Sequence, residues 1–519
     1  MVKCLSCVAD FGRDGWLINW IINTSGKNIY GLHSGDITHI FDGGIFYPYR
    51  HVLAYSEMFF ITALWTYPIG FWIQNPGIVS GLALVSGQLL TCLIIYKWWK
   101  KMSGNGWAAM IGTLAFGLSR IRFEYQVHLQ MWSMQYWLLG TYLVWSYFTD
   151  RKSWKLFLGF GVLGLQVWES LLPIYFAGVV LGVNFIFYHK LLIFNKFEFL
   201  RKLIAATLLG GMIAMPPLLT YLGVGREFNF QRSIREAANN SLAINDIWKE
   251  FASPGLYILL LIAAVQITNH KFQITEENGR NMKWLGLVML ASLILAFGPV
   301  VKWGTKTVKI GGKIPVPLPY AAAYYVIPGF GALRTPSRWI WVSGWAASGL
   351  IAIAISKIQI ANHKSHILGI LGCVTVAVAG GTGITRVRAL PTPGQAPEVY
   401  KWLGSQPGKV MVILPMAEQE WEMERLPDIF VHNKMTLNGY SGFYPPDQAD
   451  LGKELTESFP DNKTMKEMKD LKVNWVVVDK KMYNEECKIY NENCGRLELI
   501  EKTAGDKKWE DKDWAVYEI

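Results

Sequence analysis

The chain has 519 residues, 51% of them hydrophobic and 17% charged, with 23 Trp, 23 Tyr and a net charge of +11. The positive charge is spread through loops rather than gathered in a stripe with interleaved aromatics, which excludes a nucleic-acid binder. Six cysteines are too few for a disulfide framework and none has zinc-finger spacing, while so many amphipathic aromatics suit the headgroup level of a bilayer.

At the N-terminus there is no basic, apolar, small-residue signal peptide, and Cys4 and Cys7 read as two ordinary thiols. A polar segment, Arg13-Asp14-Gly15-Trp16-Leu17-Ile18-Asn19-Trp20, follows, with Trp16 and Trp20 expected to hold it at the membrane interface. Residues 52–73 are apolar enough to span yet carry Glu57 and Pro68, so an interfacial or re-entrant helix is expected there. Met58 to Tyr96 contains no charged residue.

Apolar stretches lacking the polar face of a soluble helix predict spans near 77–96, 106–118, 130–148, 154–168, 170–188, 203–222, 254–269, 284–301, 339–356 and 366–384. Short loops with Lys97, Lys100 and Lys101, then Arg151, Lys152 and Lys155, then Lys190 to Lys202, Lys271 to Lys283, and Lys357 with Lys364 fall on one side, which the positive-inside rule makes cytoplasmic. The other side receives Ser119 to Leu129, a turn at Glu169, Gly223 to Pro254, Lys302 to Arg338 and everything after Arg386. This parity requires that 154–188 be two helices and not one. Residues 314–333, with four prolines, read as a broken re-entrant segment.

From Arg386 the composition becomes that of a small soluble domain. Lys409 to Pro415 and Val473 to Asp479 predict buried strands, Thr464 to Leu471 a short helix, and Asn438 to Gly442 a turn-rich loop. Cys487 and Cys494 are close enough in sequence to pair if this tail faces an oxidising compartment. The fold class is thus an α-helical polytopic membrane protein of about 10–12 membrane segments with a small C-terminal α/β soluble domain. Its parts are 1–50, an extracytoplasmic first-loop segment; 51–385, the membrane domain; and 386–519, the soluble domain.

The predicted outer face collects Asp14, Glu57, Arg120, Arg122, Glu124, His128, Gln130, Glu169, Arg226, Arg334 and Arg338. Arginine forks suit phosphate oxygens, and a carboxylate can take the proton of an attacking hydroxyl. Loops on that face must be polar in any case, so each residue also has a purely structural reading. Walker, GxSxG, HExxH and acidic-partnered GxGxxG motifs are absent, which weighs against nucleotide-driven transport and serine hydrolysis.

Phe46-Tyr47-Pro48-Tyr49-Arg50-His51-Val52-Leu53-Ala54-Tyr55-Ser56-Glu57, Asn75-Pro76, Ser119-Arg120 leading to His128-Leu129-Gln130, Pro328-Gly329-Phe330 with Leu333-Arg334-Thr335-Pro336-Ser337-Arg338, and Asn438 to Phe443 together resemble a family of bacterial multi-spanning proteins. That family is similar to the GT-C superfamily, which includes protein mannosyltransferases and aminoarabinose transferases working from polyprenyl-phosphate sugars. The resemblance implies an acidic residue in the first outer loop acting as base or metal ligand, and Asp14 stands at that place. GT-C proteins begin with a span before this loop. Here either that span is missing or 52–73 is the first span and Asp14 is cytoplasmic.

The implied reading is a plasma-membrane glycosyltransferase moving sugar from a polyprenyl-phosphate donor to an extracytoplasmic glycan, lipid or protein acceptor. Asp14 and Glu57 would be the catalytic acids, Arg334, Arg338 and Arg120 the donor-phosphate ligands, and His128 and Gln130 substrate contacts. No metal site or cofactor is assigned, although the resemblance leaves room for a divalent cation. Membrane lipids are expected partners and nucleic acid is not. The rival is a non-catalytic transporter or flippase of a lipid-linked or anionic solute, with a scaffold protein third. Transporters place charges at mid-membrane and show two related halves, and neither is visible here.

Overall fold

A computed structural model describes residues 7–9, 14–31, 39–192, 196–247, 249, 276–356, 387–389, 393–416, 419–490 and 495–519. The predicted spans 254–269 and 366–384, and the pairing of Cys487 with Cys494, lie outside the described residues or side chains. The chain divides into two compact units, one formed from Met1–Ala83, Leu219–Asn229 and Arg386–Ile519, the other from Leu84–Leu218 and Phe230–Thr385.

The second unit is helical. Its helices include Gly106–Gly117, Gln135–Asp150, Ser153–Glu169, Leu172–Leu192, Glu276–Ala296 and Ile340–Ser356, together with most of Pro76–Ser103 and of Lys196–Glu227. Among the described residues three helices, Pro76–Ser103, Phe197–Glu227 and Pro336–Ser356, are long and apolar enough to cross a membrane, and Gly106–Gly117 and Leu172–Tyr188 are shorter apolar ones. On Lys196–Glu227 the side chains of Leu208 and Met212 are 61% and 60% exposed, a state that water penalises and lipid does not. The chain is a polytopic helical membrane protein.

Small residues set the helix spacing. A Cβ on Gly112 would sit 2.6 Å from the Ser348 carbonyl oxygen, and one on Gly140 would sit 2.7 Å from Leu163 Cγ, so both helix pairs approach at backbone distance. Around Ile340–Ser356 the unit packs tryptophan on tryptophan: Trp98 lies 4.9 Å from Trp345, 5.8 Å from Trp145 and 5.9 Å from Trp284, ring centroid to centroid.

The stretch 154–188 is two helices, broken at Ser170 where the backbone turns extended, so Glu169 does mark a turn. Loops then sort by end. At one, the Asp150 carboxylate pairs with Lys101 and Lys155. At the other end of Gln135–Asp150 the remaining loops meet: Tyr125 packs edge-on against Trp341, the Ser337 N–H donates to the Asn240 carbonyl at 3.4 Å, the Arg232 N–H to Gly331 at 3.0 Å, and the Tyr175 hydroxyl to Pro328 at 2.9 Å. Four loops that the sequence assigned to one side therefore share one end of this unit. Residues 314–333 are broken as expected, into Ile314–Pro315, the helix Pro319–Val326 and the 3-10 turn Phe330–Ala332.

In the first unit the C-terminal residues form an α/β layer structure. Val410–Leu414 runs parallel to Met435–Thr436 on one side and to Trp475–Asp479 on the other, and Trp514–Glu518 then Asp506–Glu510 extend the sheet antiparallel. Strand alternation divides the core: Val410, Val412 and Leu414 face Leu455, Met468, Tyr483 and Ile500, while Met411 and Ile413 face Val399, Tyr400 and Leu403. A strand buried on both faces is uniformly apolar, which is why these two strands were legible as runs. The helix predicted at Thr464 to Leu471 is Asn462–Asp470, N-capped by Asp461.

Candidate functional site

Asp14 opens the helix Asp14–Gly31, where a carboxylate is favoured by the helix dipole. This helix is polar along a buried stripe. Asn19 Nδ2 donates to Ser80 Oγ and to the Pro76 carbonyl, both at 2.8 Å; Ser25 Oγ donates to the Met58 carbonyl at 2.5 Å; and Asn28 Nδ2 donates to the carbonyls of Ile40 and Asp42 at 2.8 and 2.6 Å. A Cβ on Gly26 would collide with the Tyr67 ring, so the helix lies directly on Phe60–Ile73. Trp16 and Trp20 are 6% and 1% exposed, which corrects the expectation that they sit at the membrane interface: they are core packing. Trp20 meets Gly43 and is walled in by the chain itself. At the far end Lys27 Nζ donates to Asn433 Oδ1 at 2.7 Å, fastening the helix to the C-terminal domain.

Glu57 follows the 3-10 turn Val52–Tyr55 and precedes Phe60–Ile73, partly buried and engaged in interactions of its own. At 14 residues, Phe60–Ile73 is shorter than the roughly 20 a span needs, as an interfacial or re-entrant helix would be.

Two of the stretches that carry the family resemblance meet here. The Thr436 N–H donates to the Gly44 carbonyl at 2.9 Å, the Phe46 N–H to Asn438 at 3.1 Å, the Tyr47 N–H to Thr436 at 2.9 Å, and the Phe443 N–H to Tyr55 at 3.0 Å. A Cβ on Gly439 would press on Ile45 and Phe46 at 2.9 Å, so the loop needs that glycine to close on the Phe46–Glu57 stretch. Behind it, Asn438 Nδ2 donates to Glu422 Oε1 at 3.0 Å, and the buried Arg425 bridges Glu422 at 3.3 Å and Asp479 at 3.2 Å. Burial lifts the nearby Asp428 carboxyl to about 7, with Arg425 opposing the shift. Sequence reading missed this buried charged network, because Glu422 and Arg425 read as an ordinary surface pair three residues apart, while Asn438 and Asp479 join it from 16 and 54 residues away.

In the second unit, Arg334 and Arg338 flank the start of the apolar helix Pro336–Ser356. Arg334 is exposed, Arg338 partly buried. His128, at the head of the short helix Leu129–Trp132, is pushed down to about 3 by burial first, then by the charges of Arg338 and Arg334, so it is a neutral imidazole near two cations. Gln130 is buried, and its Oε1 meets no hydrogen-bond partner among the described residues. Arg120 opens the five-residue helix Arg120–Glu124 and is exposed.

Arg122, grouped by sequence with the outer loop charges, is fully buried. Its guanidinium lies 4.5 Å from the Trp132 ring and 5.3 Å from Trp341, and donates to Gln88 Oε1 at 2.7 Å and the Met131 carbonyl at 3.2 Å. It pins the loop from within and is closed to solvent. Thus the structure brings His128, Arg334 and Arg338 together in one unit, and holds Asp14 and Glu57 in the other. Among the described residues no group of three His, Cys, Asp or Glu side chains is arranged to hold a metal ion.

No family model and no curated protein matches the chain. Among solved structures it is similar to ArnT from Cupriavidus metallidurans bound to undecaprenyl phosphate (12% identity, TM-score 0.49, covering 99% of this chain and 95% of that one). It is also similar to the archaeal oligosaccharyltransferase AglB from Archaeoglobus fulgidus in complex with an inhibitory peptide and a dolichol-phosphate (12% identity, TM-score 0.47, 94% of this chain and 68% of that one). The same oligosaccharyltransferase tethered to an acceptor peptide gives 13% identity, a TM-score of 0.47, and coverage of 96% and 69%.

Proposed function

We propose that the protein is a membrane glycosyltransferase that takes a sugar from a polyprenyl-phosphate donor. The observation that carries this reading is the pairing of Arg334 and Arg338 at the N-terminal end of a helix long and apolar enough to cross the bilayer. Two guanidinium forks and a helix N-terminus favour a phosphate, and their place at the end of an apolar helix suits a phosphate attached to a lipid tail. A neutral His128 adds a hydrogen-bonding group there without further charge.

On this reading negative charge builds on the donor phosphate as the glycosidic C–O bond breaks, and Arg334 and Arg338 stabilise it in place. Asp14 accepts the proton of the attacking acceptor hydroxyl, with Glu57 the second acidic group. Arg120 serves as an outer phosphate contact and Gln130 as a substrate contact through its carboxamide oxygen, which no described residue satisfies. Chemistry and tail lie on the extracytoplasmic side, since the basic short loops hold the cytoplasmic one. The acceptor is a glycan, lipid or protein hydroxyl.

The test is donor binding by purified protein, measured with undecaprenyl phosphate. Arg334→Lys and Arg338→Lys keep the charge but lose the fork, and each should weaken binding about tenfold, one lost charge-assisted hydrogen bond. Unchanged affinity in both variants would remove the arginines from the donor site. A transporter of the same lipid would also bind it, so turnover of donor, taken up in the Discussion, separates the two.

A further inference from the structure

The Phe46–Glu57 stretch, the Asn438–Asp447 loop and the end of Lys196–Glu227 build a continuous file of rings in the first unit. Tyr440 lies 5.9 Å from Tyr444, Tyr444 5.4 Å from Phe46, Phe46 6.1 Å from Tyr55, Tyr55 5.7 Å from Phe228, and Phe228 5.6 Å from Tyr49, centroid to centroid. Phe46 and Tyr55 are buried and form its floor, whereas Tyr49, Phe228, Tyr440 and Tyr444 keep part of their surface open.

Carboxylates stand at the edge of this file. The Tyr49 hydroxyl donates to Asp447 Oδ2 at 3.5 Å, and Glu227 is close enough to raise the pKa of both Tyr49 and Tyr55 after burial has done so. Both carboxylates are exposed. Two buried hydroxyls of the same loop, Ser441 Oγ and the Tyr444 phenol, meet no hydrogen-bond partner among the described residues. A core cluster looks different: Trp98, Trp145, Trp284 and Trp345 are closed to solvent.

Open aromatic faces next to carboxylates and unmet hydroxyls fit one ligand chemistry well. A pyranose presents an apolar C–H face that stacks on rings and a rim of hydroxyls that donate to carboxylates. A phosphate would be repelled by Asp447 and Glu227, and an acyl chain would strip water from them without return. We infer that Tyr49, Phe228 and Tyr440, with Asp447 and Glu227, form a saccharide-binding platform. Calling its ligand the glycan acceptor rests on the transferase reading; the binding itself does not.

The full chain, purified in a detergent without sugar groups, is tested by saturation-transfer NMR with maltotriose, chitotriose and mannotriose as probes. Irradiating the protein should transfer saturation to the ring C–H protons of at least one probe. Tyr49→Ala and Phe228→Ala should reduce that transfer several-fold. Asp447→Asn, at an exposed position where folding is not at stake, should reduce it with an unchanged melting temperature. Transfer to none of the three probes, or transfer unaltered in Asp447→Asn and Tyr49→Ala, overturns the platform. Probe binding in a protein that consumes no donor would uphold the platform and remove the transferase reading, and donor turnover without probe binding would do the reverse.

Discussion

Asn438 holds Ile413 by both of its backbone polar groups: its Oδ1 accepts the Ile413 N–H at 2.7 Å while its Nδ2 donates to the Ile413 carbonyl at 2.9 Å. The side chain thereby continues the ladder that Met435 and Thr436 make with Val410 and Met411, just where the neighbouring strand leaves the sheet. The loop that follows is free to turn back over Gly44 to Tyr47 because its first residue has replaced backbone pairing with a carboxamide.

Asn438→Ala leaves two buried backbone groups of Ile413 and one oxygen of Glu422 without this donor–acceptor set. A cost of about 2 to 4 kcal/mol is expected from unmade buried hydrogen bonds. Limited proteolysis of the tail should accelerate accordingly, and an unchanged cleavage rate would show that the loop is held elsewhere.

Arg122→Lys should destabilise the protein by about 1 to 3 kcal/mol, since an ammonium cannot reach Gln88 and Met131 while lying flat against Trp132. The Gln88 carboxamide, which also donates to Gly117 at 2.6 Å, would lose its charged partner. Thermal unfolding in detergent measures this, and a melting point equal to that of the unaltered protein would contradict the structural role.

His128 supplies a pH dependence whose sign is fixed. Its folded value of about 3 lies below the ordinary 6.5, so between these the unfolded chain binds a proton that the folded chain refuses. Stability therefore falls as pH drops from about 6.5 toward 3 and levels off below. His128→Gln should flatten that part of the profile. A melting temperature with the same pH slope in both proteins would mean that His128 is not held neutral by its burial and the charges of Arg338 and Arg334.

Topology follows from the basic loops. In a background lacking native cysteines, a cysteine at Ser405 should react with an impermeant thiol reagent in intact cells and one at Lys152 should not. The opposite labelling would invert the orientation.

Much of the fold is legible where a single physical demand repeats. Spans such as 77–96 and 339–356 announce themselves because every position avoids charge, and Val410–Leu414 because a strand covered on both faces has no polar side. What stays hidden depends on distance in space. Trp16 and Trp20 read as interface anchors because sequence does not reveal that Gly43 would close over Trp20. Arg120 and Arg122 look alike in sequence, yet the two-residue step between them is roughly half a helical turn, which sends Arg122 into an aromatic cage and leaves Arg120 in the open. The meeting of Asn438 to Phe443 with Phe46 to Tyr55 had one faint signal, Tyr47, Tyr49 and Tyr55 in the one stretch and Gly439, Tyr440 and Gly442 in the other.

The central claim is sugar transfer from a polyprenyl-phosphate donor with Asp14 as base, and Asp14→Asn tests it most directly. The substitution keeps size and polarity but cannot take a proton, so the rate of donor consumption by purified protein should fall by roughly 10² to 10⁴, the usual worth of a general base, while undecaprenyl phosphate still binds. Donor consumed by Asp14→Asn at the unaltered rate would move the base to another residue, with Glu57 and Asp42 next; no consumption by the unaltered protein would contradict the account and favour a lipid-linked-solute transporter.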